Sequence, residues 1–126
     1  MTRVIVADDD IDIGALVAIA VRKSGLTLVG QAADGIAAWD LIQKFRPDMV
    51  ILDVAMPGLT GPEVCQLIRA DASLSSMLIL LLSAAVDDAS QRAGIEAGAD
   101  HYLIKPFSPR ELVERLGSLS PLGVNS

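Results

Sequence analysis

Short apolar runs alternate with longer amphipathic segments five times along this 126-residue chain, and no other sequence feature constrains the fold as strongly. The apolar runs predict strands over residues 3–7, 26–31, 49–53, 77–82 and 101–104. Runs such as "MVIL" and "MLILLL" do not alternate with polar residues, which is typical of strands buried on both faces of a parallel sheet. Five strand–helix units predict an α/β fold, a (βα)5 doubly wound parallel five-stranded sheet with helices on both faces.

The segments between the strands carry signals for the start and end of helices. They predict helices over residues 11–24, 34–45, 61–70, 87–98 and 108–117. Asp34 is a predicted N-cap, Pro62 stands at a first helical position, and Ser108 with Glu111 forms a predicted capping box. The sequence leaves two roles open for Asp10, the start of a helix and membership of an acidic cluster. We expect one domain over residues 1–119, followed by a tail or linker stub over residues 120–126.

Composition limits the classes of protein to which the chain can belong. Hydrophobic residues make up 52% of the sequence, which argues against disorder. The longest apolar run, residues 13–21, is far shorter than the roughly 18 residues of a membrane span, and the first residues do not resemble a secretory signal. The formal net charge of −6 and the lack of a Lys/Arg cluster argue against direct nucleic acid binding. The single cysteine, Cys65, excludes an internal disulfide and is typical of a cytoplasmic protein.

Polar or charged residues stand at the ends of four of the five predicted strands. They are the aspartates 8–10 after the first strand, Asp53 at the end of the third, Ser83 after the fourth and Lys105 after the fifth. Ligand sites of open parallel sheets lie beyond the carboxyl ends of the strands, so we expect these side chains to converge. Converging carboxylates repel one another, and a hard divalent cation such as Mg²⁺ relieves the repulsion. The sequence therefore predicts a Mg²⁺ (or Mn²⁺) site with a lysine beside it.

The sequence resembles the receiver domain of two-component response regulators, the CheY-like superfamily, over residues 3–118. The motifs that carry the resemblance are "VADDD", "ILDVAMPGLTG", "LLLSA" and "YLIKPF", which follow one another in the order typical of the family. The resemblance implies a flavodoxin-like strand order, 2-1-3-4-5. It also implies a signalling switch that is not an enzyme in the usual sense, because it catalyses only its own phosphorylation and dephosphorylation.

The resemblance assigns a role to each polar residue at the strand ends. Asp53 would accept the phosphoryl group and help to bind Mg²⁺. Asp9 would bind the ion directly, Asp8 would assist through water, and the backbone carbonyl of Ala55 would complete the protein ligands. Lys105 would contact a phosphoryl oxygen. Such a site fits phosphoryl transfer, in which positioning and charge neutralisation supply most of the catalysis.

Two further residues would transmit the signal, according to the same resemblance. Ser83 would move toward the phosphoryl group, and Tyr102 would change its rotamer in response. The expected output face lies on the fourth helix, fifth strand and fifth helix, with Arg92, Tyr102 and Arg110 as candidates. It would act on an output domain or effector protein that the sequence does not name.

The expected phosphodonor is a histidine kinase or a histidine phosphotransfer protein. We expect it to dock on the first helix, at Ile13 and Val17, and on the loop that contains Pro106 and Phe107. Neither a membrane nor direct binding of nucleic acid by this chain is expected.

Two other functions stay open at the level of sequence. A Mg²⁺-dependent phosphohydrolase of the haloacid dehalogenase type also uses an aspartate nucleophile on a strand. That class requires a second acid two residues after the nucleophile, where this chain has Ala55. The other alternative is a receiver that binds proteins independently of phosphorylation.

Overall fold

The computed structural model describes residues 2–85 and 87–119, and in these residues five strands alternate with five helices. The strands are β1 (Arg3–Ala7), β2 (Thr27–Ala32), β3 (Met49–Asp53), β4 (Leu78–Ser83) and β5 (His101–Ile104). The helices are α1 (Ile11–Lys23), α2 (Gly35–Phe45), α3 (Gly61–Ala70), α4 (Asp88–Glu96) and α5 (Pro109–Leu119). The alternation predicted from the apolar runs is confirmed.

The strands form one parallel sheet in the order β2-β1-β3-β4-β5. This order and the doubly wound class confirm the predicted fold. The register pairs Ala7 with Leu52, and Asp53 with Leu82. Strands β1, β3 and β4 therefore end close together, which brings the residues that follow them to one edge of the sheet.

Two apolar layers cover the sheet, one on each face. Helices α1 and α5 pack on one face with the side chains of Val4, Val6, Met49, Ile51, Leu80 and Leu82. Helices α2 and α3 pack on the other face with Ile5, Ala7, Val50, Leu52, Ile79 and Leu81. All five residues of β3 are buried, so the uninterrupted apolar run "MVIL" reflects burial on both faces.

The helix starts follow the predicted caps. The side chain of Asp10 accepts hydrogen bonds from two backbone N–H groups of the first turn of α1, which shows that Asp10 is the N-cap of this helix. Asp34 caps α2 by accepting a bond of 2.7 Å from the N–H of Ala37. Ser108 and Glu111 form the predicted capping box, with reciprocal bonds of 3.0 and 3.2 Å.

A few boundaries differ from the prediction. Strand β4 begins at Leu78 and includes Ser83, because Met77 still belongs to a turn in which its N–H donates to the carbonyl of Leu74. Helix α3 is capped by a second capping box, between Thr60 and Glu63, that the sequence analysis did not use. Helix α5 continues to Leu119. The predicted tail, residues 120–126, lies outside the described residues.

The two edges of the sheet differ in character. We call the edge where the strands end, at Asp8, Asp53, Ser83 and Lys105, the carboxyl edge. The opposite, amino edge contains the turn between α4 and β5, which is fixed there because the N–H of Asp100 donates to the carbonyl of Ile79. In the described part of the chain, no helix is long and apolar enough to cross a membrane.

Candidate phosphorylation site

Three carboxylates meet at the carboxyl edge. Oxygen atoms of Asp8, Asp9 and Asp53 lie within 4.8 Å of one another. Asp53 is the last residue of β3, and Asp8 follows the neighbouring strand β1 directly, so the strand register places the two side by side. Asp8 and Asp53 are buried, with 3% and 5% of their surface exposed, whereas Asp9 is exposed. The predicted acidic cluster is present in the structure.

Lys105, the residue that follows β5, brings a positive charge to this cluster. Its ammonium lies 3.0 Å from Oδ2 of Asp8 and 3.2 Å from Oδ1 of Asp53. The backbone N–H of Lys105 donates to the carbonyl of Ser83, which ties the lysine to the end of β4. The peptide bond from Lys105 to Pro106 is cis. The structure thus brings together four of the five charged residues at the predicted strand ends, and the fifth, Asp10, caps α1 instead.

The charges in the cluster do not balance. Burial, the charge of Asp8 and the hydrogen bond with Asp9 together raise the pKa of Asp53 from 3.8 to about 6, although Lys105 opposes the shift. Burial lowers the pKa of Lys105, but the hydrogen bond to Asp8 and the charges of Asp53 and Asp8 outweigh burial and raise it overall. One lysine faces three acids, so a further cation would stabilise the ionised cluster.

The donor set fits a hard divalent cation. Carboxylate oxygens are the ligands that Mg²⁺ prefers, and it is usually held by one or two carboxylates together with waters. Asp8 offers a fully buried side chain, and Asp9 offers one that solvent can reach. The loop of residues 54–60, which follows Asp53, carries Ala55. It starts with a hydrogen bond of 2.8 Å from the N–H of Val54 to the carbonyl of Leu82.

Ser83 lies at the carboxyl edge as the last residue of β4, and it is 5% exposed. Its hydroxyl accepts a hydrogen bond of 3.0 Å from the backbone N–H of Ala85. The hydroxyl is therefore engaged with its own loop in this conformation.

Tyr102 lies on β5 and packs inward against the apolar layer on the α2–α3 face. The inward ring contacts the backbone of α4 at Gly94, where an added Cβ would lie 3.1 Å from Cδ2 of Tyr102. Its hydroxyl is buried and has no hydrogen-bond partner among the described residues. A buried hydroxyl without a partner is unfavourable by about 1–3 kcal/mol, so the inward ring is held by packing.

The structure corrects two parts of the predicted docking surface, because Val17 on α1 and Phe107 after β5 are both buried in the apolar layer on the α1–α5 face. Val17 is 0% exposed and belongs to the apolar layer under α1, so the prediction that a phosphodonor contacts its side chain is wrong. Val17 lies on the apolar face of α1, as helical periodicity indicates, and this face packs against the sheet. On the same helix Ile11 is 81% exposed and stands next to the acidic cluster, a position that the sequence analysis did not select.

Comparison with known proteins agrees with this geometry. Residues 4–117 match the family model for the response regulator receiver domain. The chain is 39% identical over 114 residues to the DNA-binding response regulator MtrA of Mycobacterium tuberculosis, a match that covers 90% of this chain and 48% of MtrA. It spans about half the length of the curated relatives it matches.

Solved structures show the same likeness. The chemotaxis response regulator CheY4 of Vibrio cholerae has a TM-score of 0.88 and 32% identity, with 95% of this chain and 99% of that chain covered. The signal receiver domain of the response regulator NarL from Mycobacterium tuberculosis has a TM-score of 0.85 and 34% identity, covering 91% and 92%. The fold and the site define a receiver domain of two-component signalling. The chain belongs to the response regulator receiver family.

Proposed function

We propose that this chain is a phosphoacceptor switch that takes a phosphoryl group onto Asp53 from a histidine kinase or a histidine phosphotransfer protein. The observation that carries the proposal is the position of the Lys105 ammonium, within 3.2 Å of carboxylates from two different strands. An ammonium held between two acids at the ends of adjacent strands is suited to contact an oxygen of an incoming phosphoryl group. The proposed compartment is the cytoplasm, in keeping with the unpaired Cys65.

The proposed reaction moves one phosphoryl group between two side chains. A carboxylate oxygen of Asp53 attacks phosphorus, and an oxygen–phosphorus bond forms as the bond from phosphorus to the donor histidine nitrogen breaks. The electron pair of that bond stays on the imidazole, which takes up a proton. With a pKa of about 6, Asp53 is mostly ionised at neutral pH and can act as the nucleophile.

The acidic cluster would hold the divalent cation that this reaction needs. Asp8, Asp9 and Asp53, with the carbonyl of Ala55, are the proposed ligands of Mg²⁺ or Mn²⁺. The ion would supply neutralisation of charge on the phosphoryl oxygens. Lys105 would move from its two carboxylates to a phosphoryl oxygen.

The proposed switch uses the conformations of Ser83 and Tyr102. Phosphorylation adds close to two negative charges and new acceptor oxygens at Asp53. Ser83 would exchange its bond with Ala85 for one to a phosphoryl oxygen, and the β4–α4 loop would shift. Tyr102 would turn outward and change the face of α4, β5 and α5, where Arg92 and Arg110 are exposed. An output domain or a separate effector protein would bind this face.

Incubation with acetyl phosphate and Mg²⁺, followed by intact mass measurement, tests the proposal. We expect one phosphoryl adduct on the wild-type protein and none on Asp53→Asn. Asp40→Asn, which changes an exposed acid on α2, is the matched control and should be labelled like the wild type. An adduct on Asp53→Asn equal to that on the wild type would overturn the proposal. No adduct on any of the three proteins would favour a receiver that acts without phosphorylation.

The phosphohydrolase alternative receives no support from the structure. The position two residues after Asp53 is Ala55, which has no acid to protonate a leaving group. The family match points to signalling proteins.

A further inference from the structure

The start of helix α2 lies in direct backbone contact with the loop that follows the phosphorylation site. Gly35, the first residue of α2, donates a hydrogen bond of 3.1 Å to the carbonyl of Pro57. A Cβ at Gly35 would lie 2.5 Å from the carbonyl carbon of Leu59 and 2.6 Å from its Cβ, and would overlap the carbonyl oxygen. Only a residue without a side chain permits this approach.

A second contact joins the same two segments. Gly58 has a φ of +81°, and a Cβ added there would lie 3.0 Å from both Cγ1 and Cδ1 of Ile36. The loop therefore lies against the side chain of Ile36 as well as the backbone of Gly35. Ile36 is 55% exposed, so this contact does not belong to the core.

Helix α2 is a rigid support for these contacts. Asp34 fixes its first turn through the hydrogen bond to Ala37, and Ala38 and Ile42 anchor the helix in the core with no exposed surface. A change at Gly35 would therefore displace the loop more readily than the helix.

The loop is also fixed at its far end. The N–H of Gly61 donates to the carbonyl of Val54, and a Cβ at Gly61 would lie 2.6 Å from the carbonyl oxygen of Asp53. With both ends of residues 54–60 held, a displacement at Pro57 to Leu59 must be taken up within the loop. Ala55 lies within this loop, two residues before Pro57.

We propose that Gly35 is a positioning residue for the metal site: its contact with Pro57 and Leu59 sets the loop so that the Ala55 carbonyl is presented to a divalent cation. This rests on the proposed role of Ala55 as a ligand. Mg²⁺ requires near-ideal octahedral geometry with short bonds, whereas Ca²⁺ accepts longer and more variable ones. A displaced carbonyl therefore weakens Mg²⁺ binding more than Ca²⁺ binding.

The test compares Gly35→Ala with the wild type by isothermal titration calorimetry, with Mg²⁺ and Ca²⁺ titrated separately and no phosphodonor present. The control is Gly98→Ala at the amino edge, where an added Cβ would lie 2.5 Å from Cγ of Arg69 and φ is +116°. Both variants should lower the free energy of unfolding in EDTA. Only Gly35→Ala should weaken Mg²⁺ binding, by about tenfold, as is typical when a group that orients a ligand is changed. Its affinity for Ca²⁺ should fall less.

The outcomes separate this inference from the function on which it rests. A wild-type protein that does not bind Mg²⁺ would overturn the proposed function and the inference together. Wild-type affinity for Mg²⁺ in Gly35→Ala, or an equal loss for Mg²⁺ and Ca²⁺, would overturn the inference alone. If Gly35→Ala does not fold, Ile36→Ala replaces it, because it removes only the side chain that faces Gly58. A smaller but selective loss of Mg²⁺ affinity is then expected, and an unchanged affinity would contradict the inference.

Discussion

The ammonium of Lys105 lies 3.0 Å from Oδ2 of Asp8, although the two residues are separated by 97 positions in the chain. The side chain of Asp8 is fully buried, and an ionised carboxylate without a partner is very unfavourable in such a place. Lys105 supplies that partner, and it also lies 3.2 Å from Asp53. The lysine therefore forms ion pairs with the same carboxylates that a divalent cation would bind.

Replacement of Lys105 by methionine should separate cation binding from phosphoryl uptake. In Lys105→Met the acids lose their positive partner. A unit charge about 4 Å away is worth about 4 kcal/mol at a partly buried site before screening. We therefore expect Mg²⁺ to bind at least about tenfold more tightly to this variant. The rate of phosphorylation by acetyl phosphate should fall, because no ammonium meets the phosphoryl oxygens. Calorimetry and intact mass measure the two effects.

Lys23→Met, at an exposed position in the last turn of α1, is the control for the loss of one positive charge. It should change neither quantity. Weaker Mg²⁺ binding in Lys105→Met than in the wild type would show that the lysine does not compete with the cation.

The raised pKa of Asp53 predicts how the stability of the metal-free protein depends on pH. The folded protein binds the Asp53 proton more tightly than the unfolded chain, because the pKa rises from 3.8 to about 6 on folding. The contribution of Asp53 to stability must therefore fall as the pH rises from about 4 to about 6, and stay low above that range. Asp53→Asn lacks this contribution and should be more stable than the wild type at pH 7.5 in EDTA.

The measurement is urea unfolding of both proteins from pH 4 to pH 8. Asp71 and Asp87 act in the opposite direction, because hydrogen bonds from Ser73 and Ser90 lower their pKa values. The difference between wild type and Asp53→Asn cancels these contributions. A difference that is constant across the pH range would contradict the prediction, and Asp40→Asn should retain the wild-type slope.

Replacement of Arg69, which lies away from the acidic cluster, should cause a large loss of stability. Its guanidinium donates hydrogen bonds to the carbonyls of Ser75, Met77 and Gly98 and to the carboxylate of Asp100. It thereby joins the end of α3 to the turns before β4 and β5. Loss of four such bonds should lower the free energy of unfolding of Arg69→Met by about 2–4 kcal/mol.

Two comparisons sharpen the Arg69 prediction. Arg69→Lys should recover little stability, because one ammonium cannot replace the planar fork of the guanidinium. Arg110→Met, at a side chain that is 89% exposed, should stay close to the wild type. Urea unfolding gives the stabilities, and calorimetry should show that Arg69→Met binds Mg²⁺ as the wild type does. A changed Mg²⁺ affinity would mean that the amino edge influences the carboxyl edge.

The strands and the acidic cluster could be predicted because both depend on local sequence. Each apolar run is long enough to mark a buried strand, and in a parallel sheet the residues after the strands must share one edge. The position of Asp53 therefore followed from "MVILD" once the fold class was predicted. The pattern T-x-x-E at Thr60 could also have predicted the cap of α3.

Other features depend on contacts between distant segments and left no local signal. The sequence shows a glycine at position 35, but the approach of Leu59 is defined only when α2 and the loop are placed together. The same holds for the bonds of Arg69 to Gly98 and Asp100. Val17 was misjudged because periodicity identifies the apolar face of a helix and does not distinguish a core contact from a docking contact.

Because the single native thiol, Cys65, is buried, a reporter can be attached selectively to a new cysteine at the amino edge. Burial raises the pKa of Cys65 to about 12, and the side chain is fully enclosed, so alkylating dyes should leave it unmodified in the native protein. A cysteine introduced at Ser76, an exposed position in the turn before β4, would then take a maleimide fluorophore selectively. Its attachment point lies across the sheet from Asp53, so encounters with the proposed phosphodonor could be followed by fluorescence without a dye crowding the proposed acceptor carboxylate.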